Sequence, residues 1–227
     1  NMGCDIIAFS DGGLMKEYCI ENKIEYREIK MQHSPRASFI SYLFSMLKTL
    51  HKTLPIKTEE IYEAISELKI LKEKISSKNL SESNPSLLLA QWISGIPLIY
   101  YPNGLEAAAI RFKNSLQENS KMHVITEDVI EACHNGIVPW IKPSNVKPML
   151  LRGKDDFEKT SERWEILKDF FEKNEIEFKE INSINGNILS KLVNLIYLLD
   201  YTSIYKAVLD EVDPSMVEPI DFVKNNL

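Results

Sequence analysis

The chain has 227 residues, 44% hydrophobic and 26% charged, enough to bury one large or two modest cores, and these proportions exclude a disordered or fibrous protein. A net charge of −6, with no basic block and no interleaving of basic and aromatic residues, points away from a nucleic-acid surface. Three cysteines, Cys4, Cys19 and Cys133, form neither a disulfide framework nor a zinc knuckle and fit a reducing cytoplasm; no apolar run reaches the ~18 residues of a spanning helix, and no signal peptide is visible.

In chain order, Cys4 to Ser10 reads as a buried strand that starts at once, so a chain opening with Asn1 reads as a fragment. Asp11-Gly12-Gly13 is a tight turn, Leu14 to Asn22 a short helix, and Glu25 to Lys30 a second strand, which makes a parallel βαβ unit. Pro35 forces Ser34 into an extended conformation, and Ala37 to Lys52 reads as a largely apolar helix. Thr58 caps a linker helix with Glu59 and Glu60 in its first turn and Ile61, Ile65, Leu68 and Ile75 on one face; Ser76 to Ser86 reads as an exposed loop or helix junction.

A fuller α/β domain follows. Ile96 to Tyr101 and Val146 to Arg152 are strands, as is Glu177 to Ile181. Leu105 to Lys121 is a helix with Leu105, Ala108, Ala109, Phe112 and Leu116 turned inward, and Lys154 to Asn174 is a second. A long helix runs from Asn187 to about Glu211, and a short one from Pro219 to Asn226. The fold class is therefore α/β, a three-layer arrangement on a parallel sheet, with functional groups expected at the sheet's carboxyl edge.

Two side chains carry the chemistry. Residues seven apart on an α-helix lie about 20° from alignment, so Arg111 and Glu118 project together while Phe112 and Leu116 face the core. The helix dipole would push the Glu118 carboxyl up and a neighbouring Arg111 or Lys121 would bring it down, an environment in which a base for a carbon-bound proton can be tuned. Sixteen residues later His134 sits in Ala132-Cys133-His134-Asn135-Gly136, a short non-periodic loop, and imidazole suits proton transfer at neutral pH. Taken singly, a glutamate such as Glu118 is more often a solvated carboxylate, and a loop histidine such as His134 more often structural or exposed. His33, His51 and His123 have no partner at metal-ligand spacing, so no metal site is expected.

Five motifs occur in order: Ser10-Asp11-Gly12-Gly13-Leu14; Ser34-Pro35-Arg36-Ala37; Arg111-Phe112-Lys113-Asn114 running into Gln117-Glu118-Asn119-Ser120-Lys121; Glu131-Ala132-Cys133-His134-Asn135; and Pro219-Ile220-Asp221-Phe222-Val223-Lys224. Together they make the chain resemble the bifunctional phosphoglucose/phosphomannose isomerases of the sugar isomerase (SIS) superfamily, which are built from two flavodoxin-like domains and have active sites at a dimer interface. The resemblance implies a division into 1–53, the end of a first SIS domain; 54–86, linker helix and loop; and 87–227, a second SIS domain.

It further implies catalytic roles for Glu118, His134, Arg36 and Lys224. Glu118 would be the base that moves a proton between C1 and C2 through a cis-enediol. His134, donated by the neighbouring subunit of a homodimer, would assist ring opening. Arg36 would sit beside the enediolate and Lys224 would reach the same cleft, both also binding substrate. A threonine of the family pattern has no counterpart in Pro214-Ser215-Met216-Val217, where Ser215 is the nearby hydroxyl.

No cofactor is expected, and the partner is a sugar phosphate rather than a nucleic acid or a membrane. The family's phosphate loop, Ser-x-Ser-Gly-Asn-Thr, occurs nowhere in the 227 residues, so this segment alone is expected to be inactive although the intact protein isomerises glucose 6-phosphate or mannose 6-phosphate to fructose 6-phosphate. A noncatalytic sugar-phosphate-binding module is the alternative; it would need neither Glu118 nor His134.

Overall fold

A computed structural model describes residues 3–227; Asn1, at which the chain opens, lies outside the described residues. The chain divides into two compact units, Asn1–Thr58 and Glu59–Leu227.

The first unit contains β1 (Ile7–Ser10), α1 (Gly13–Glu21), β2 (Glu25–Glu28) and α2 (Phe39–Leu50). β1 and β2 pair in parallel with Ile7 opposite Glu25 and Ser10 opposite Glu28, the βαβ unit anticipated from the sequence. Gly12 and Gly13 both take positive φ, 132° and 63°, which lets the chain leave β1 and enter α1 within two residues.

The buried strand over Cys4 to Ser10 is corrected: Cys4 to Ile6 are exposed, and Ile7 to Ser10 are only half-buried. A two-stranded sheet has too little apolar surface to bury both of its faces. The same shortage leaves Leu14 84% exposed on α1. In α2 only Leu47 is buried, so this apolar helix is half-covered rather than a core element.

The second unit begins in α3 (Thr58–Ile75), which has Glu59 and Glu60 in its first turn and Ala64, Leu71 and Ile75 buried. The stretch read as an exposed loop or helix junction joins α3 to the next helix: Ser81 to Ser83 are exposed, while Asn84 and Ser86 at its end are fully buried. The Asn84 side chain accepts from the N–H groups of Ser86 and Leu87, at 3.0 Å each, and so caps α4 (Pro85–Trp92), with Pro85 in its first turn. Its amide in turn donates to the carbonyl of Asn79 at 2.7 Å. Asn-Pro is here a helix start, not a loop signal.

β3 (Ile96–Tyr101), α5 (Glu106–Ser120), β4 (Ile125–Asp128), β5 (Val146–Arg152), α7 (Glu158–Lys173) and β6 (Lys179–Asn182) form the α/β core, with a one-turn helix α6 (Val129–Glu131) after β4. The sheet order is β4-β3-β5-β6 and every pairing is parallel. β4 was not recognised in the sequence, because Thr126, Glu127 and Asp128 give it no apolar run and it lies at an edge of the sheet.

Alternation along the strands sorts the core into two layers. Leu98, Tyr100 and Leu150 meet Trp164, Leu167 and Phe171 of α7 on one face. Ile99, Met149 and Leu151 are buried on the other, where α5 packs on β3 and β4 and joins α8 (Ile188–Leu209). Helices thus cover both faces of a parallel sheet, the three-layer arrangement expected.

By length and composition α8 is long and apolar enough to cross a membrane, which corrects the sequence expectation that no segment reaches that limit. In this fold it is a core helix: half of that stretch is buried, and Asn187 caps it by accepting from Ser190 N–H at 2.9 Å. The chain ends in α9 (Glu218–Asn225), which is exposed throughout.

Candidate functional site

Glu118 stands in the last turn of α5. Phe112 and Leu116 have no solvent exposure, as the helical spacing required, while Glu118 itself is half-buried. The helix stops at Lys121, which takes left-handed φ of 57° and donates its N–H to the Leu116 carbonyl. The Lys121 ammonium bridges two carbonyls, of Glu118 and of Met216, the latter at 2.6 Å. This tie brings the segment leading into α9, the helix of Lys224, against the end of α5. In that segment Asp213 accepts from Ser215 N–H at 2.8 Å, and the Ser215 backbone and hydroxyl, with Lys121 further off, hold its carboxyl below the ordinary range. Lys224 is exposed.

Arg111, expected to share a side with Glu118, is engaged by α8. Its Nε and Nη2 donate to the two carboxylate oxygens of Asp200 at 3.1 and 2.9 Å, a forked ion pair. Asp200 was not singled out in the sequence, nor was Glu127 on the unrecognised β4.

His134 lies at the other end of the sheet. β4 passes at Asp128 into α6 and then into a single π turn, Ala132–Gly136, which carries His134 fully outward. The non-periodic loop of the sequence reading is therefore a wound element, a geometry often found at functional positions. Asn135 donates to Glu131 across this turn at 3.3 Å. Gly136 lies so close to the Glu127 carboxylate that a β-carbon there would collide with it.

The topology places Glu118 and His134 apart in one chain. α5 leaves the carboxyl end of β3 and returns to the amino end of β4, so Glu118 is at the amino edge and His134 at the carboxyl edge. Four residues of parallel strand, about 13 Å, lie between those edges. Glu118 therefore does not lie at the carboxyl edge where functional groups were expected, because the end of a crossover helix falls at the opposite edge. Arg36 belongs to the first unit, half-buried at the head of a 3₁₀ turn, Arg36–Ser38. Buried Ser38 holds that loop by accepting from Gln32 N–H at 3.0 Å and donating to the Ser34 carbonyl at 3.1 Å.

Residues 82–227 match the family described as the bacterial phospho-glucose isomerase C-terminal SIS domain. The chain belongs to this family. Over 99% of its length it is 32% identical to the bifunctional phosphoglucose/phosphomannose isomerase of Caldicellulosiruptor bescii, covering 69% of that protein. It is 24% identical to the protein of the same name from Aquifex aeolicus, covering 99% of this chain and 68% of the relative.

Among solved structures, a glucose-6-phosphate isomerase like protein from Thermus thermophilus superposes with a TM-score of 0.65 at 17% identity, over 93% of this chain and 75% of that one. A tagatose-6-phosphate ketose/aldose isomerase from Escherichia coli gives 0.65 at 10% identity, over 93% and 62%. These two show the shared SIS fold.

Charge near the His134 turn of this SIS domain is uneven. Burial first, then the carboxylates of Glu131 and Asp128, push the Glu127 carboxyl above the usual glutamate range, and burial raises the Cys133 thiol. A carboxyl whose folded-state pKa is raised binds its proton more tightly when folded, so stability falls as pH rises through that window. Glu127→Gln is therefore expected to melt at a higher temperature than the parent at pH 7. The gain should shrink as pH falls through the free glutamate value of about 4.3 and be gone by about pH 3, where both states are protonated. Melting curves across this range check it; equal midpoints at pH 7 would show that Glu127 has a compensating partner.

Proposed function

We propose that this chain carries the acid/base half of an aldose-ketose isomerase that interconverts glucose 6-phosphate or mannose 6-phosphate with fructose 6-phosphate. Glu118 takes the proton from C2 of the open-chain aldose. The electron pair moves into a C1–C2 double bond, and the C1 oxygen, gaining negative charge, collects a proton to give the cis-enediol. Glu118 then returns its proton to C1 as the C2 hydroxyl loses its own and becomes the ketone. Because C2 is planar in the enediol, one intermediate serves both epimers.

In this reading Arg36 stabilises the enediolate oxygen, Lys224 binds the substrate, and His134 opens the sugar ring. The observation that carries the reading is the position of Glu118: half-buried at the helix end, with the lead-in to α9 tied to it through Lys121. The separation of Glu118 and His134 across the sheet supports a site assembled from two copies, each giving its histidine to the other. Such a dimer would work as a cytoplasmic enzyme on a diffusible sugar phosphate.

The test uses the chain extended to the length of its curated relatives. Fructose 6-phosphate should yield both glucose 6-phosphate and mannose 6-phosphate, resolved by coupled assays for each. Saturable binding with no product of either kind would replace catalysis by a sugar-phosphate-binding role.

A further inference from the structure

We propose that Asp200, on α8, is a positioning residue for Glu118: it fixes the rotation and register of α5, and so governs turnover without touching substrate. This rests on Glu118 being the base.

Arg111, Ser115 and Asn119 are spaced four apart and form one stripe along α5. Each ends on the same short stretch of α8. Arg111 forks onto Asp200, and the Ser115 hydroxyl donates to Asp200 Oδ1 at 2.6 Å. The Asn119 amide donates to Ser203 Oγ at 2.8 Å, and the Ser120 hydroxyl to the Ser203 carbonyl at 2.8 Å. Ser203 Oγ itself donates to the Asp200 carbonyl at 2.7 Å, which joins both halves of the contact into one network centred on Asp200.

Phe112 and Leu116 also hold α5, but the hydrophobic effect that buries them has no preferred direction of its own. The forked pair and the short hydroxyl bond are directional. Glu118 points about 20° from the direction of Arg111, so whatever fixes Arg111 also aims Glu118. A carboxylate about 6 Å from the helix axis moves about 2 Å in a 20° rotation, and a 1 Å misplacement can cost about a hundredfold in rate.

Stability alone does not explain the arrangement. The Arg111–Asp200 pair is part-buried, and polar contacts of that kind are a weak source of stability compared with apolar packing of equal volume. The arrangement also leaves Asn119 Oδ1 buried with no partner among the described residues, a destabilising feature. What the network does supply is a single allowed setting of the helix that ends in Glu118.

The experiment again uses the chain at the length of its relatives. Asp200→Asn preserves shape but removes the charge that both Arg111 and Ser115 address. Its kcat should fall at least about tenfold, with KM for fructose 6-phosphate within about twofold. Placed in a Glu118→Gln background, the same change should cost nothing further, because both act through one group. Lys191→Met, which breaks the α8 ion pair with Asp155, should leave kcat unchanged.

An Asp200→Asn enzyme with parental kcat, in a protein that Glu118→Gln inactivates, would overturn the positioning role and leave the base intact. Activity that survives Glu118→Gln would remove the base and this proposal with it. If Asp200→Asn does not fold, Ser115→Ala decides, with a kcat loss of about threefold supporting the proposal and an unchanged kcat overturning it.

Discussion

Glu118→Gln is expected to lower kcat for isomerisation by about a thousandfold, with KM nearly unchanged. The amide fills the same half-buried space at the end of α5 but has no site for a proton taken from carbon. General-base catalysis contributes about 10² to 10⁴ in rate, and a thousandfold corresponds to about 4 kcal/mol at the transition state. The near-constant KM follows because substrate binding is assigned to Arg36 and Lys224, not to the base. Steady-state rates from fructose 6-phosphate toward each aldose check this. A loss confined to one epimer would mean that Glu118 selects products rather than moving the proton common to both.

The largest stability effect is expected at Trp164. It has no solvent exposure, and its indole N–H donates to Asp156 Oδ2 at 2.8 Å, while Asp156 also accepts from Gly153 N–H. The side chain therefore packs α7 on the sheet and also ties it to the loop after β5. Trp164→Ala should cost about 3 to 5 kcal/mol, combining lost burial with the cavity left behind. Trp164→Phe keeps most of the ring volume and leaves Asp156 its bond from Gly153 N–H, but loses the indole bond to the carboxylate, and should cost about 1 to 3 kcal/mol. Denaturant melts of both variants check the order; equal losses would show that the hydrogen bond, not the volume, dominates.

The strands β3 and β5 could be read to the residue, because their middles, Pro97 to Tyr100 and Pro148 to Leu151, are buried and show as short apolar runs. The first four-residue segments of the chain were harder. Pattern alone assigned Cys4 to Ser10 to a core, yet a two-stranded sheet cannot bury it. β4 escaped because an edge strand of four residues needs no apolar stripe, and α4 because Asn84-Pro85 is equally a turn and a helix start until the carbonyls that Asn84 reaches are seen.

The candidate site divided in the same way. Glu118 and His134 could be singled out locally, by residue type and helical spacing. Their separation across the sheet could not, since it follows from α5 returning to the amino edge. Nor could Asp200, whose partner Arg111 is 89 residues away on a different helix. Local sequence reveals what a side chain can do; the crossover decides what it meets.

The most direct measurement is isomerisation of fructose 6-phosphate in deuterium oxide by the chain at the length of its relatives, with products analysed at C2 by NMR. A proton carried by Glu118 through an enediol exchanges with solvent, so both glucose 6-phosphate and mannose 6-phosphate should carry deuterium at C2, and Glu118→Gln should form each about a thousandfold more slowly. Products of both kinds with no deuterium at C2 at early conversion would point to direct hydride transfer and contradict the account.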